Sequence, residues 1–223
     1  MLNRVQMRTA FRTRAATLAA VTTGSVSLSA TAVGFVRTTG SFVTDGFVAG
    51  MEITPSGFAL NTTRKVITAV SALLLTIDSG INSGTVVESA AGSRSLVAGL
   101  PEDRAWELTE LVPRVGKPYV EEDLALGGPG TQPGQSNAGL IEHVGLWMLR
   151  CYGPDKVGTD ALDRVGDALC TLFRPGTSFT LTNGDRVDVR CDLTPWPGRV
   201  QPVKPGWALS VVTIPFRYYA INS

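Results

Sequence analysis

The residues that could do chemistry in this chain are few, and their spacing forms no familiar reactive group. His143 is the sole histidine, so a Ser-His-Asp triad would have to use it. His143 stands inside an apolar run that is typical of a strand. The sequence contains no G-x-S-x-G elbow, P-loop, G-x-G-x-x-G or H-E-x-x-H motif. We therefore expect His143 to be a packed core or interface histidine, and we expect the protein not to be an enzyme.

Two further groups could in principle bind a metal. Glu121, Glu122 and Asp123 are consecutive acids, but neighbouring strand residues point to opposite faces, so three ligands would not converge. We interpret them as surface charge. The cysteines Cys151 and Cys170, with a third at 191, form no C-x-x-C pair. We expect three small buried thiols in a reducing compartment, with no disulfide, structural zinc or cofactor.

Composition excludes several classes of protein. The 223 residues are 43% hydrophobic and 17% charged, which indicates a globular chain. The net charge of +1 argues against a dedicated nucleic-acid binder. The longest apolar run, 66–77, is too short to cross a bilayer, and the N-terminal segment lacks the hydrophobic run of a signal peptide. We expect a soluble protein without membrane contact.

The elements that carry these residues begin with a basic helix. Asn3 could cap a helix reaching about Ala19, with an apolar stripe at Val5, Phe11, Ala15 and Leu18. Residues 1–44 contain no acid but five arginines, and three of them share one helix face: Arg4, Arg8 and Arg12. That face is either solvated or a docking surface for acidic groups of a partner.

Residues 22–98 predict a small all-β barrel, SH3-like or OB-like. The expected strands are 27–38, 51–54, 65–70, 73–77 and 85–90, separated by turn signals such as Asp45-Gly46 and Ser56-Gly57. An OB reading would suggest nucleic-acid binding, but the segment holds only four basic residues. The run Gly40–Phe58 followed by Val66–Ile77 is similar to β-modules of phage virion proteins.

From residue 99 onward the pattern becomes mixed. We expect a helical turn at Pro101–Trp106, a strand at Lys117–Leu126, and a central strand at Gly139–Tyr152 that is covered on both faces. A helix capped by Thr159 follows, ending at Phe173. Asn183-Gly184 predicts a hairpin, and Pro215 predicts an edge position or a bulge in the last strand.

The segment 127–137 is a connector or an arm that orders against a neighbour. Candidate interface residues within it are Gly127, Gly128, Pro129, Gly130, Gln132 and Gln135. Trp196, in the connection Pro195-Trp-Pro-Gly198, is a further candidate.

Taken together, several pieces resemble the tail terminator proteins of tailed bacteriophages. They are the helix 3–19, a hairpin ending in Gly139–Tyr152, the helix 161–173 and the closing run Trp207–Tyr218 with its Pro-Phe-Arg-Tyr. The resemblance implies an α+β core, residues 1–21 and 99–223, with a mixed or antiparallel sheet flanked by helices. Residues 22–98 would be an inserted barrel-like domain that smaller members of the family lack.

The same resemblance implies a structural role in the virion, after assembly in the host cytoplasm. Such proteins form a ring, commonly hexameric, that caps the tail tube, stops its polymerisation and meets the head-completion or neck proteins. Genomic DNA passes through the central hole without sequence-specific binding. A head–tail connector or tail-completion protein is the alternative. A small hydrolase or nucleic-acid-binding module, with the barrel as its site, is a more distant one.

Overall fold

A computed structural model describes residues 4–80, 84–106, 111–130, 140–190 and 192–221. The chain is mostly β-structure with few helices. The helices are α1 (Arg4–Ala16), α2 (Phe42–Asp45) and α3 (Asp160–Leu172), with a 3₁₀ turn at Asp155–Val157. The strands form two assemblies, a closed barrel and an open sheet.

The barrel is built from the first seven strands. They are β1 (Val21–Thr22), β2 (Val26–Thr31), β3 (Gly34–Arg37), β4 (Glu52–Ser56), β5 (Lys65–Val70), β6 (Leu74–Ile77) and β7 (Glu88–Ala98). Six of them pair in the order β7-β2-β3-β6-β5-β4, and β4 pairs back onto β7, which closes the barrel; β1 adds to β7. The prediction of a small barrel is confirmed. The expected strand 27–38 is instead the hairpin β2–β3.

The open sheet contains the remaining strands. They are β8 (Asp103–Ala105), β9 (Tyr119–Gly130), β10 (Leu140–Pro154), β11 (Ser178–Thr180), β12 (Arg186–Val189), β13 (Trp196–Pro197), β14 (Gln201–Lys204) and β15 (Trp207–Ile221). Their order is β11-β12-β15-β10-β9-β8, and β13 and β14 continue along the edge of β15 where β12 ends. Helices α1 and α3 pack on one face, so the α+β prediction holds only loosely, as a β-rich sheet with two covering helices.

The helices follow the sequence patterns with two corrections. In α1 the buried residues are Met7, Phe11 and Ala15, whereas Val5 is 73% exposed, so the predicted stripe was wrong by about half a turn at its start. In α3, Leu162, Val165 and Leu169 are buried as predicted. Thr159 occupies the cap position, but its side chain makes no cap hydrogen bond.

The segment Pro101–Trp106 is not a helical turn. Residues Asp103–Ala105 form β8, which pairs parallel to the start of β9. Pro101 and the acids that follow it suggested a helix start. However, the backbone instead completes the sheet edge, and the side chains of Glu102 and Asp103 accept hydrogen bonds from Lys117. A three-residue strand carries no periodicity that a sequence pattern could detect.

Pro215 lies in a central strand, so the edge prediction was wrong. The backbone N–H of Arg190 donates to the carbonyl of Pro215, so Pro215 turns its backbone toward the β12 side. On that side β12 ends opposite Phe216 and β13 begins opposite Thr213. The missing N–H of the proline therefore faces a gap between two strands and costs no ladder hydrogen bond.

The buried hydrophobic residues that the structure describes form two cores. One joins α1 and α3 to the open sheet around Phe11, Trp147 and Phe216. The other fills the barrel around Phe35 and Ile53, and α3 contributes Ala161 to it. The expected division at residues 21/22 and 98/99 remains a prediction about independent folding units.

Candidate functional site: an open sheet face

The open sheet has one face, opposite the helices, that the described chain covers only in part: its apolar centre on β10 stays partly exposed, whereas Thr213 and Pro215 of β15 on the same face are buried. Strand β10 turns Trp147, Leu149 and Cys151 toward the helices, where all three are buried. The alternate residues point the other way: Val144 is 36% exposed, and Leu146 and Met148 are half-buried. The predicted strand is confirmed as central, between β9 and β15. Its expected covering on both faces is only partial among the described residues, because the outward side of β10 remains half-buried or exposed.

Neighbouring strands extend this surface. Ala125 of β9 pairs with Leu146 and is exposed, and Val211 of β15 is half-buried. We call Ala125, Val144, Leu146, Met148 and Val211 the outer face.

Ion pairs border the outer face at both ends. Arg150 donates to Asp123 at 3.1 Å on one side, and Arg217 lies 3.2 Å from Glu142 on the other. An apolar centre with a charged rim is the usual anatomy of a protein–protein interface.

The acidic run on β9 is not simple surface charge. Glu122 points inward and is buried; it accepts hydrogen bonds from Arg12 Nε at 2.8 Å and from Trp147 Nε1 at 2.6 Å. Glu121 and Asp123 point outward. Neighbouring residues of β9 therefore point to opposite faces of the sheet, as predicted. Among the described residues no cluster of three metal-ligating side chains occurs.

The N-terminal arginines are placed differently from one another. Arg4 is exposed, whereas Arg8 and Arg12 are half-buried. Burial lowers the pKa of Arg8, although the charge of Glu122 opposes this. Arg12 binds Glu122 and lies 4.8 Å from the ring centre of Trp106. The acidic partner of the predicted docking face is thus, for Arg12, a residue of the same chain.

The remaining predicted interface residues lie at the sheet margins. Gly127 is exposed near the end of β9, whose backbone continues through Gly128, Pro129 and Gly130. Gln132 and Gln135 lie outside the described residues. Trp196 is 45% exposed on β13 and pairs with Thr213. The structure does not bring these candidates together with Arg4, Arg8 and Arg12 into one described pocket.

The candidate reactive groups are part of the packed sheet and helix. His143 is half-buried, with its ring 6.1 Å from that of Tyr218. Desolvation raises the pKa of Cys151 to about 12 and that of Cys170 to about 11. Thiols with such pKa values are almost entirely protonated at neutral pH and are weak nucleophiles. Cys191 lies outside the described residues.

A buried ion cluster joins the barrel to the open sheet, and no sequence pattern predicted it. The ammonium of Lys117 is fully buried and lies 3.3 Å from Glu52 of β4, 2.8 Å from Glu102 and 3.1 Å from Asp103. Glu52 also accepts from the backbone N–H of Glu102 at 2.6 Å and lies 3.6 Å from Arg64. Lys117 stood at the predicted start of a strand, and only the fold brings three acidic side chains around it.

Comparison with known proteins identifies no family. No protein-family model matches the chain. No curated protein resembles it closely enough to count as a match. One solved structure matches over 54% of this chain and 79% of its own length, at 16% identity and a TM-score of 0.42. A likeness at that level does not establish a shared fold. Within the part of the chain that the structure describes, no helix is long and apolar enough to span a membrane.

Proposed function

We propose that the protein is a structural subunit of a phage virion, a tail terminator that forms a ring on the end of the tail tube. The observation that supports this is the outer face. Strand β10 is apolar on both faces, and the helices cover one of them. The apolar area of Val144, Leu146 and Met148 that stays exposed would contribute about 25 cal/mol per Å² if a neighbouring subunit buried it.

The sheet geometry suits a head-to-tail ring. A ring closes when one surface of a subunit binds a different surface of the next subunit and the rotation divides a full turn. The outer face would be one such surface. Strands β9 and β10 are 12 and 15 residues long, which places Gly130 and Leu140 far along the sheet, where they would contact the neighbour or the tube.

In this proposal the tail tube protein lies below the ring and a head-completion or neck protein lies above it. Genomic DNA passes through the lumen, and the subunit resides at the neck of the virion. The net charge of +1 is compatible with DNA sliding past, because a strongly basic lumen would retain it through many phosphate contacts.

The test is the mass in solution, by light scattering, with and without tail tube protein. We expect a closed oligomer, or one that forms on tube ends. Met148→Glu should weaken association at least about tenfold, since it buries an unpaired carboxylate in the interface. Ala69→Glu is the matched control, because Ala69 is exposed on barrel strand β5 and the charge change is the same.

A wild-type chain that stays monomeric and never associates with tube ends would refute the proposal. An oligomer that Met148→Glu leaves intact would refute the role of the outer face. A ring that binds other neck proteins but not the tube would identify a head–tail connector or tail-completion protein instead.

A further inference from the structure

A second surface, separate from the outer face, lies between helix α1 and strand β11. A groove of about 530 Å³ runs between them. Its helix wall is formed mainly by small and polar side chains, and its strand wall is the segment 179–182 with the half-buried Phe179. Lining residues on the helix side include Gln6, Thr9, Ala10, Thr13, Arg14 and Thr17.

Two contacts fix how the helix lies along the strand. The backbone N–H of Asn183 donates to the Gln6 side chain at 3.3 Å, and the Arg14 guanidinium lies 5.6 Å from the ring centre of Phe179. Helix α1 therefore runs antiparallel to residues 179–183. The 13-residue helix is about 20 Å long, which is the span of about six residues of extended chain.

Strand β11 is an edge of the sheet formed by the described strands, and its outer backbone groups face away from β12. Thr177 accepts a hydrogen bond from Val189, and Leu181 donates one to Asp185, so odd-numbered residues bond to the β12 side. In an antiparallel pair the alternate residues, Ser178 and Thr180, direct their N–H and C=O groups outward. An edge of this kind can accept another strand.

The groove has a basic end. At Arg14 it meets a polar depression of about 500 Å³, lined by Arg14, Arg174 and residues 175–178. The residues that line the groove and this depression include two arginines and no acid. Arg174 is exposed, so its charge is available to a ligand.

We propose that this groove binds an extended segment of a different protein, which adds as a strand to β11 and places acidic side chains beside Arg14 and Arg174. Backbone hydrogen bonds to Ser178 and Thr180 would supply affinity, and the arginines would set direction and preference for acids. The inference does not depend on the proposed ring.

The test selects a random nonapeptide library against the immobilised full-length chain. Thr180→Pro removes the outward N–H without breaking a bond to β12, and Thr180→Val keeps it, so these two variants form the matched pair. We expect selected peptides to be rich in Asp or Glu toward one end. They should bind Thr180→Pro at least tenfold more weakly and Thr180→Val unchanged, and Arg174→Gln should weaken them at least threefold.

Backbone N-methylation of the selected peptides provides a check that leaves the protein unaltered. Methyl groups on one set of alternate residues should abolish binding, and those on the other set should not. The proposal would be overturned if the two sets of methyl groups had equal effects. It would also be overturned if the selected peptides had no excess of Asp or Glu, or if none of them bound wild type better than Thr180→Pro. An oligomer of the protein alone that Thr180→Pro converts to monomer would identify a second copy as the occupant and overturn it as well.

Discussion

Replacing Lys117 by methionine should cost a large part of the stability of this protein. The substitution keeps an unbranched side chain of nearly the same length but removes the charge that faces Glu52, Glu102 and Asp103. Removing one partner of a buried ion pair typically costs 3–5 kcal/mol, because the other charge stays buried. Arg64 and a backbone N–H still contact Glu52, so we expect the lower end, about 3 kcal/mol.

The assay is urea unfolding followed by tryptophan fluorescence. A loss of about 3 kcal/mol corresponds to a midpoint lower by roughly 1 M urea at unchanged slope. Arg114→Met is the control, because Arg114 binds Asp103 in the same cluster but its side chain is 54% exposed, and such pairs contribute less than about 1 kcal/mol. If Lys117→Met falls within 1 kcal/mol of wild type, the cluster does not hold the barrel to the sheet as described.

The same variant should change the pH dependence. The hydrogen bond from Lys117 lowers the pKa of Glu102 below its usual 4.5. A depressed carboxyl pKa contributes stability that is present above the unfolded pKa and is lost as pH falls through the folded pKa. Burial alone would lower the pKa of Lys117, but the hydrogen bond to Glu102 and the charge of Glu52 outweigh it and raise that pKa. Its contribution is present below the unfolded pKa and is lost as pH rises through the folded one. In Lys117→Met, the stability should therefore fall less steeply than in wild type both at acidic pH and at alkaline pH.

Three other measurements test the structure at separate places. Glu88 accepts hydrogen bonds from three consecutive backbone N–H groups and from the Asn61 side chain. Desolvation acts in the opposite direction, but these bonds outweigh it and lower the pKa of Glu88 to about 2. Glu88→Gln should therefore reduce the stability lost between about pH 4.5 and 2, as measured by acid unfolding curves. A Cβ at Gly145 would lie 2.5 Å from the Phe216 ring, so Gly145→Ala should destabilise by about 1–3 kcal/mol in thermal unfolding, and an unchanged melting temperature would contradict the packing there. Iodoacetamide at pH 8 should leave Cys151 unmodified until the protein unfolds, and peptide mapping that finds it alkylated in the native state would contradict its burial.

The outer face and the groove beside β11 differ in how far a sequence pattern predicts them. The outer face combines a sequence pattern and a structural result: β10 is apolar on alternate sides, and the helices cover one side. The groove beside β11 has no sequence signal. Its Thr-rich helix wall and short strand are ordinary by composition, and only their juxtaposition forms a groove beside a strand edge that no described strand pairs with.

Local patterns determined the elements whose information lies in neighbouring residues. The long apolar run predicted β10, the spacing of Leu162, Val165 and Leu169 predicted α3, and Asn183-Gly184 predicted the β11–β12 hairpin. These signals survive because turn chemistry and side-chain period act within a few residues. The turn-rich segment 22–98 likewise predicted a small barrel.

Tertiary structure decided what depends on contacts between distant residues. The sequence alone could not show that β4 returns to β7 and closes the barrel, or that Glu122 is buried between Arg12 and Trp147. An apolar strand pattern predicts that a face is buried, but it does not predict which element packs against that face. From the sequence, charged residues are predicted to lie on the surface. A buried charge is stabilised by pairing with groups that the chain brings together only when it folds.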